Sequence, residues 1–471
     1  MKIRFVAAFV AIALAVVGLA ASPVLAGTNP SGVSDEKELR AAVALANKDP
    51  RISRIIFERG AVIELTEEVR FTGSQDLVLA GRGATISGAT VAADTDTWDS
   101  GLFVSESTGD LTIRDLTFAD SFNNGLAVFL PADKGSVEIV LTEVNVTGAQ
   151  FHGVLIDGQS TTGYNTDDFI HPNCVDPHPV DSNINIDITL RRSSVTGSGQ
   201  LDGYDITQAT GCPQDFDGLR VDQGGDGDLT ATLTRSNFDG NLADGVELDE
   251  KGEGSVDAHV ARSTFNANGD TVSILCTVPT TNGGDDGLCE AGDLGEPIED
   301  LDDGFDIDEA DGGDIIVLVR RSEVSDNFDE GMDMDEAGEG SIVATVTRTE
   351  ASRNGDEGYK ASEADGGDNT ANIKRSTFED AGNDQIEVES EDGDGTGTVT
   401  VVVTRVTSTG ADGSGVKAVE DDGGTVLVTV ARSTLTGNGE WGVEAAGGSG
   451  SVNVTTSDLS GNTDGEVELD I

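Results

Sequence analysis

Basic residues are scarce in this sequence. Its 28 lysines and arginines stand against 87 aspartates and glutamates, which gives a formal net charge of −59. A surface this acidic repels the phosphate backbone of a nucleic acid and the anionic lipids of a membrane, so nucleic acid is excluded as a partner. Two explanations for the excess stay open: a high-salt habitat in which the carboxylates are screened, or calcium held between them.

Long apolar runs are missing after residue 26. Residues 1–26 contain Lys2 and Arg4, then an apolar stretch that ends in small residues at Ala26, which is typical of a cleaved secretory signal. No later stretch has the roughly 18 uninterrupted apolar residues that a membrane-spanning helix needs. We therefore expect a mature chain that begins at Gly27 and is secreted, whether extracellular, periplasmic or at the cell surface.

Helical periodicity and heptads are absent from most of the chain, which instead repeats a block of about 27 residues. The clearest copies are residues 234–260 and 320–346, and further copies run from 347 to 373, 374 to 403 and 404 to 430. Each copy alternates apolar and polar residues in one short and one longer segment between glycine-rich turns. This pattern predicts half-buried strands, and the fixed period predicts a repeat architecture.

A single coil of this kind cannot bury its apolar face alone, but stacked coils form a continuous core with parallel strand pairs. The sequence therefore predicts an all-β solenoid, a right-handed parallel β-helix, as one domain over residues 27–471. Residues 27–60 are the N-terminal cap of that domain, with an amphipathic helix whose Leu39, Val43 and Ala46 point inward. Propeller blades would need longer repeats, and leucine-rich repeats a Leu/Asn pattern that is missing.

These features resemble the right-handed parallel β-helix proteins of the pectin-lyase-like superfamily. The resemblance rests on the helix before the coil, on residues 77–88, and on an asparagine six positions after an arginine in many copies. It implies an asparagine ladder, in which side chains hydrogen-bond along the stack at one turn. The ladder residues are Asn241, Asn268, Asn327, Asn354 and Asn438.

Aligning the copies stacks charged residues at two outward positions of the short strand. Adjacent rungs lie about 4.8 Å apart, so neighbouring carboxylates repel each other unless solvent, raised pKa values or a cation relieve them. Calcium suits such columns, although a merely solvated acidic face is an equal alternative, and no EF-hand loop is present. The candidate metal ligands are Glu247, Asp249, Asp306, Asp308, Asp333 and Asp335.

The resemblance also implies a polysaccharide groove on the short-strand face, in which lyases use calcium with an Arg or Lys as base. Arg220 has the matching residue type, although a counter-ion role in an acidic column explains it as well. A glycoside hydrolase would use two carboxylates beside the scissile bond. The candidate catalytic residues are Arg220, Asp306, Asp308, Asp333 and Asp335, and nothing in the repeat singles out one pair.

Three insertions, at 158–182, 199–216 and 269–301, interrupt the rungs and mark the region of expected ligand binding. Histidine and tyrosine gather on or beside the first two, next to carboxylates, which suits a sugar site, although small loop cores explain them too. The candidate ligand-binding residues are His152, Asp157, Tyr164, His171, His178, Tyr204 and Asp222.

All four cysteines of the chain lie in these insertions. None has the spacing of a zinc site, and an oxidising compartment favours disulfides. Because Cys276 and Cys289 share one insertion, we favour their pairing, with Cys174 bonded to Cys212, among three possibilities.

The arginine that lies six residues before the position of the ladder asparagine recurs over eight rungs. Such a positive stack invites an anionic ligand, but in so acidic a chain we expect its partners to be neighbouring carboxylates. The column comprises Arg192, Arg235, Arg262, Arg321, Arg348, Arg375, Arg405 and Arg432.

Taken together, the sequence predicts a secreted acidic β-helix protein that binds polysaccharide or divalent cations, with Ca²⁺ as the candidate ion. The alternative is an enzyme, a polysaccharide lyase or glycoside hydrolase, that acts in a groove on the short-strand face.

Overall fold

The computed structural model describes residues 28–88, 100–130, 135–158, 182–199, 216–269, 303–364, 366–390, 397–421 and 423–470. Within these residues the chain is almost entirely β-strand, with one helix, and the strand pairs between successive coils are parallel. The protein is a parallel β-helix, and its sheets are consistent with the right-handed form that the resemblance implies. None of the described helices is long and apolar enough to cross a membrane.

One sheet contains the short strands of successive coils, in chain order. Its strands are Val69–Phe71, Gly101–Ser105, Asn124–Phe129, Val154–Asp157, Leu219–Gln223, Val246–Glu250, Phe305–Glu309, Asp335–Glu336, Ser362–Glu363, Glu387–Ser390, Lys417–Glu420, Trp441–Ala446 and Gly465–Val467.

The second sheet contains two further strands of most coils, a longer one and one of three residues. The longer strands are Arg54–Phe57, Leu77–Ser87, Leu111–Ala119, Gly135–Thr147, Ile184–Arg191, Leu229–Thr234, Val256–Ala261, Ile315–Arg320, Ile342–Thr347, Asp368–Lys374, Thr398–Thr404, Thr425–Ala431 and Ser449–Thr455, and Ser31–Val33, of three residues, pairs with the first of them. The three-residue strands are Val62–Glu64, Ser194–Thr196, Asn237–Asp239, Thr264–Asn266, Glu323–Ser325, Glu350–Ser352, Thr377–Glu379, Thr407–Thr409 and Thr434–Thr436.

A repeat copy therefore has three strands. The longer predicted segment is broken at its arginine, which has a positive φ (for example 59° at Arg262), so that the chain turns a corner there. The alternation places Val256, Ala258 and Val260 inside, and after the corner Phe265 points inward as well. These side chains form one continuous core with their counterparts in neighbouring coils, and its burial is the main stabilising contribution.

The helix α1 spans Glu36–Ala46. It begins at Asp35, whose side chain accepts a hydrogen bond from the backbone N–H of Glu38 at 2.8 Å. Its inward positions, Leu39, Val43 and Ala46, are buried as the sequence predicts, and they belong to the same core as the first strands.

The asparagine ladder is confirmed. The Nδ2 of Asn268 donates to the Oδ1 of Asn327 at 3.1 Å, and the Nδ2 of Asn327 donates to Asn354 at the same distance. A further member, Asn462, accepts from Asn438 at 2.9 Å. These bonds join rungs at the corner between the three-residue strands and the short strands.

Candidate functional site: the carboxylate columns

The short strands bring the predicted acidic residues together in the expected register. Glu247 pairs with Arg220 on one side and Asp306 on the other, while Asp249 lies between Asp222 and Asp308. The second column continues to Asp157 in one direction and to Asp335 in the other. The fixed period and the two-residue alternation were enough to predict this stacking.

The columns are buried, which differs from the open groove floor expected from the sequence. Arg220 is 1% exposed, Asp249 is fully buried and Asp306 is 7% exposed. Asp308 is more exposed than these residues, with 22% of its side chain accessible. Buried carboxylates need a positive charge, a proton or hydrogen bonds to offset the loss of hydration.

Arg220 supplies that positive charge on its own rung. Its Nε donates to Asp222 at 2.8 Å, its Nη2 to Asp249 at 2.8 Å, and its Nη1 contacts Glu247 and, at 3.4 Å, Asp217. Burial lowers the pKa of Arg220, but the four carboxylates raise it, and the net pKa lies well above its ordinary value. A guanidinium held charged in this way favours the counter-ion role over that of a catalytic base.

His152 lies beside this group. Its Nδ1 accepts a hydrogen bond from the backbone N–H of Asp217 at 3.2 Å and lies 3.3 Å from that residue's carboxylate. Burial lowers the pKa of His152, while the Asp217 carboxylate acts in the opposite direction. The net pKa of His152 is lowered, so burial favours the neutral imidazole.

The remaining predicted ligand-binding residues in the insertions lie outside the described residues, and so do all four cysteines. Their roles and the disulfide pairing stay predictions. The residues concerned are Tyr164, His171, His178, Tyr204, Cys174, Cys212, Cys276 and Cys289.

A third acidic column, which the sequence analysis did not assign, lies at the turn before the short strand. Most of its carboxylates accept the backbone N–H of the equivalent residue on the next rung, as when Asp303 accepts from Glu330 at 2.7 Å. The signal was present as the acid before glycine in most copies. The column comprises Asp217, Asp244, Asp303, Glu330, Glu357 and Asp384.

Burial is the first cause of raised pKa values in this turn column. The pKa of Asp303 and that of Glu330 lie well above their ordinary values, with neighbouring carboxylates adding to the effect. Burial raises the pKa of Glu357 to about 10 and, against the pull of Lys417, that of Asp384 to about 7. Burial therefore favours the protonated form of these groups, and a cation beside them would favour the charged form.

The three columns, together with Asp329 and Asp356 beside them, form groups that could hold a metal ion. Five groups in the described part of the chain bring one oxygen from each of three carboxylates within 4.8 Å of one another. They are Asp217 with Asp244 and Glu247; Glu247 with Asp306 and Asp308; Asp303 with Asp306 and Asp333; Asp329 with Glu330 and Asp356; and Glu357 with Asp384 and Glu387.

Lysines provide a built-in cation on later rungs. The Nζ of Lys360 lies 3.1 Å from Glu330 and 3.3 Å from Asp333. The Nζ of Lys417 contacts Glu387 and lies 3.4 Å from Asp384. From Lys360 onward, the column that contains Glu247 thus alternates basic and acidic residues. Between Arg220 and Lys360 it has three consecutive acidic residues.

A fourth acidic column, also missed from the sequence, points inward at the end of the short strand. Its carboxylates accept hydrogen bonds from the backbone N–H groups of the glycines that follow. For example, the N–H groups of Gly338 and Gly340 both donate to Glu336 at 3.0 Å. Glycine is required there because a methyl group at Gly340 would overlap the carbonyl oxygen of Gly313 on the preceding rung. The column comprises Glu250, Glu309, Glu336, Glu363 and Glu420.

Comparison with known proteins adds no function. Neither a family model nor a curated protein matches the sequence. Among solved structures, similarity extends to a periplasmic alginate epimerase (11% identity, 87% of this chain and 77% of that chain, TM-score 0.35) and to a mannuronan C-5 epimerase A-module from Azotobacter vinelandii (13%, 93% and 95%, TM-score 0.37). It also extends to the surface protein and adhesin PfbA of Streptococcus pneumoniae (9%, 94% and 100%, TM-score 0.33). At these values the likeness carries no argument about activity.

Proposed function

We propose that this protein binds divalent cations, with calcium as the principal ion, in the carboxylate columns of its short-strand sheet. The observation that carries the proposal is the pair of groups that share Asp306: Glu247 and Asp308 in one, Asp303 and Asp333 in the other. Calcium takes six to eight oxygen ligands at about 2.3–2.6 Å, and carboxylates supply them in mono- or bidentate form.

The placement of basic residues supports the same segment. Arg220 forms ion pairs with Asp222 on its own rung and with Glu247 on the next, and Lys360 forms ion pairs with Glu330 and Asp333. Between them the column presents acids on three successive rungs. A bound cation there would supply the charge that Arg220 and Lys360 supply at either end.

Asp249 provides a second, independent observation in favour of a bound cation. Its Oδ2 accepts from Arg220 at 2.8 Å, whereas its Oδ1 is buried without a hydrogen-bond partner. Asp249 pairs in register with Asp308, a member of the first group. A buried carboxylate oxygen without a donor is costly, and a cation beside it would remove that cost.

Calorimetry with Ca²⁺ tests the proposal. We expect heat of binding with the wild-type protein and its loss in Asp306→Asn/Asp333→Asn, which removes two carboxylates on neighbouring rungs. The matched control is Glu323→Gln/Glu350→Gln, which also removes two carboxylates on paired rungs, at exposed positions of the three-residue strands. The proposal fails if the wild type binds no Ca²⁺, or if both variants lose it alike.

Polysaccharide is the second part of the proposal. Asp308 is the partly exposed member of its group, so a calcium ion held there would have coordination positions on the solvent side for an external carboxylate. We expect Ca²⁺ to increase the retention of the protein on immobilised polygalacturonate, and we expect this increase to be lost in Asp308→Asn. Equal retention with Ca²⁺ and with the chelator, or an increase with Ca²⁺ that Asp308→Asn keeps, would contradict this second part.

Two structural roles belong to the same proposal. We infer that residues 1–26 direct secretion, which cell fractionation with and without those residues tests. We also infer that α1 caps the N-terminal end of the coil. Its buried face supports this role, and truncation before Ser53 should then lower the melting temperature and raise aggregation.

A further inference from the structure

The arginine column lies on a different edge of the coil, the corner between the longer strands and the three-residue strands. Its backbone stacks rung on rung: the N–H of Arg235 donates to the carbonyl of Ala261, that of Arg321 to Thr347, and that of Arg405 to Ala431, at 2.9 to 3.0 Å. One arginine per coil therefore follows the axis of the β-helix as a straight row, which we call the arginine stripe. Its members are Arg192, Arg235, Arg262, Arg321, Arg348, Arg375, Arg405 and Arg432.

Every residue of the stripe has a left-handed backbone conformation, with φ between 51° at Arg192 and 59° at Arg262. Glycine, asparagine and aspartate adopt this conformation at lower cost than arginine, for which it costs roughly 1 kcal/mol. At two earlier corners the residue with a positive φ is not an arginine but Asp115 or Glu143. The fold thus accepts other residues at this corner, and backbone conformation does not explain the arginines.

Charge balance within the protein does not explain them either. All eight side chains are exposed. Within the described residues only Arg192 forms an ion pair, with Glu143 at 2.8 Å. Glu323 and Glu350 follow two residues after their arginines, yet neither lies within 4.0 Å of a guanidinium of the stripe. The expectation that neighbouring carboxylates neutralise this column is therefore not met for the other seven.

The stripe is reinforced by the residues that precede it. Arg191, Arg320 and Lys374 are exposed and lie next to members of the stripe. Guanidinium groups on rungs about 4.8 Å apart repel each other by roughly 1 kcal/mol per pair in water. A linear ligand with a regular series of negative charges would remove this repulsion along its whole length.

We propose that the arginine stripe binds a linear acidic polysaccharide that lies parallel to the axis of the β-helix. The guanidinium fork matches carboxylate and sulfate oxygens, and a row of forks suits an extended chain. Single-stranded nucleic acid fits less well, since its recognition uses exposed aromatic platforms. The one large exposed aromatic residue in the described part of the chain, Phe328, lies beyond the asparagine ladder, away from the stripe.

This binding is independent of the proposed calcium sites, so it is measured in the presence of a chelator. The test is titration of the protein with polygalacturonate in EDTA, for the wild type and for Arg348→Gln/Arg375→Gln/Arg405→Gln. We expect binding that weakens with added salt and is about tenfold weaker in the triple variant, because each lost exposed ion pair contributes a few tenths of a kcal/mol up to about 1 kcal/mol.

The matched control is Arg51→Gln/Arg59→Gln/Arg353→Gln, which removes the same three charges from exposed arginines off the stripe. Arg353 shares the left-handed backbone, with φ of 58°, but is paired with Asp326 at 2.6 Å. The control should keep wild-type affinity. Equal loss in both triple variants would mean that net charge and not the stripe determines binding.

Other polymers separate the possible ligands. Dextran sulfate in place of polygalacturonate distinguishes sulfate from carboxylate, and neutral dextran should not bind. The proposal is overturned if no acidic polysaccharide binds in EDTA, or if single-stranded DNA binds as tightly as the best polysaccharide and shows the same loss in the stripe variant.

Discussion

Glu250 and Glu309 are directly paired on adjacent parallel strands, and both carboxyl groups are buried at the inner end of the short-strand sheet. One oxygen of each accepts a backbone N–H from the glycine turn, from Gly252 at 3.1 Å and from Gly313 at 2.9 Å. The other oxygen of each is buried without a hydrogen-bond partner of its own. Two such carboxyl groups one rung apart are stable together only if they share a proton.

Stability should therefore fall as pH rises. Burial raises the pKa of Glu250 from its ordinary 4.5 to about 9, and the charge of Glu309 adds to this. Between these two values the folded state binds more protons than the unfolded state, so the free energy of unfolding decreases with pH. In urea denaturation across that window, the free energy of unfolding of Glu250→Gln should decrease less steeply with pH than that of the wild type, by up to about 1.4 kcal/mol per pH unit.

The control for this experiment is Glu323→Gln, which removes an exposed carboxylate. It should leave the pH dependence as it is in the wild type. If Glu250→Gln and the wild type lose stability in parallel across the window, Glu250 does not carry a proton in the folded protein.

The glycines that follow these carboxylates in the chain give a second prediction. Alanine at Gly340 would overlap the carbonyl oxygen of Gly313 and approach the Glu336 carboxylate within 2.7 Å. We expect Gly340→Ala to cost more than about 3 kcal/mol of unfolding free energy, since two backbones of adjacent rungs would have to separate.

Gly437 provides the comparison for that substitution. It has a positive φ of 76° and open space around the position of a Cβ, so Gly437→Ala should cost only about 1 kcal/mol, from backbone conformation. Denaturation of both variants measures the difference, and similar losses would show that the close approach of rungs is not the constraint.

The asparagine ladder gives a third prediction. Asn327 accepts from the Nδ2 of Asn268 and donates to both Asn354 and the carbonyl of Phe265, each at 3.1 Å. Asn327→Ala leaves buried groups on two rungs without partners, and we expect a loss of about 3 kcal/mol in chemical denaturation. Asn237→Ala, at an exposed site, should change stability by no more than about 0.5 kcal/mol. Equal effects would argue against a cooperative ladder.

The regularity of the repeat explains how much of the fold could be predicted from sequence. The pairing of Arg220 with Glu247 and of Asp249 with Asp308 follows from a fixed period and strict alternation, and the structure confirms it. The positions of the ladder asparagines recur in the same way, and the family resemblance implied their hydrogen bonds. These features depend only on position within a copy, so alignment of the copies determines them.

Features that depend on a side chain's environment were not predicted. Glu250 ends a strand of alternating residues, where an acid two residues before glycine suggests a polar turn, and only the closed coil shows that it points inward. The left-handed backbone at Arg262 was also missed, because arginine is not a residue that this conformation favours. Burial of Asp306 depends on packing around the strand and not on the period of the repeat.

Arg220 allows the fourth prediction, which joins charge burial to the calcium proposal. Arg220→Met keeps the apolar part of the side chain but removes the cation that contacts Asp222, Glu247 and Asp249. Removing one partner of a buried ion group typically costs about 3–5 kcal/mol, because the remaining charges stay buried without compensation. At neutral pH we expect a loss of this size in the free energy of unfolding.

Acid should restore part of that loss. Without the guanidinium the pKa of Asp222, already raised by burial, rises further, so the folded variant binds more protons than its unfolded state. Its stability relative to the wild type therefore increases as pH falls. Saturating Ca²⁺ should act in the same direction, by mass action on the folded state. Arg353→Met, which breaks an exposed ion pair with Asp326, should cost within about 1 kcal/mol at every pH. If Arg220→Met is as stable as that control, or equally unstable at all pH values and calcium concentrations, the columns do not hold the buried charge assigned to them.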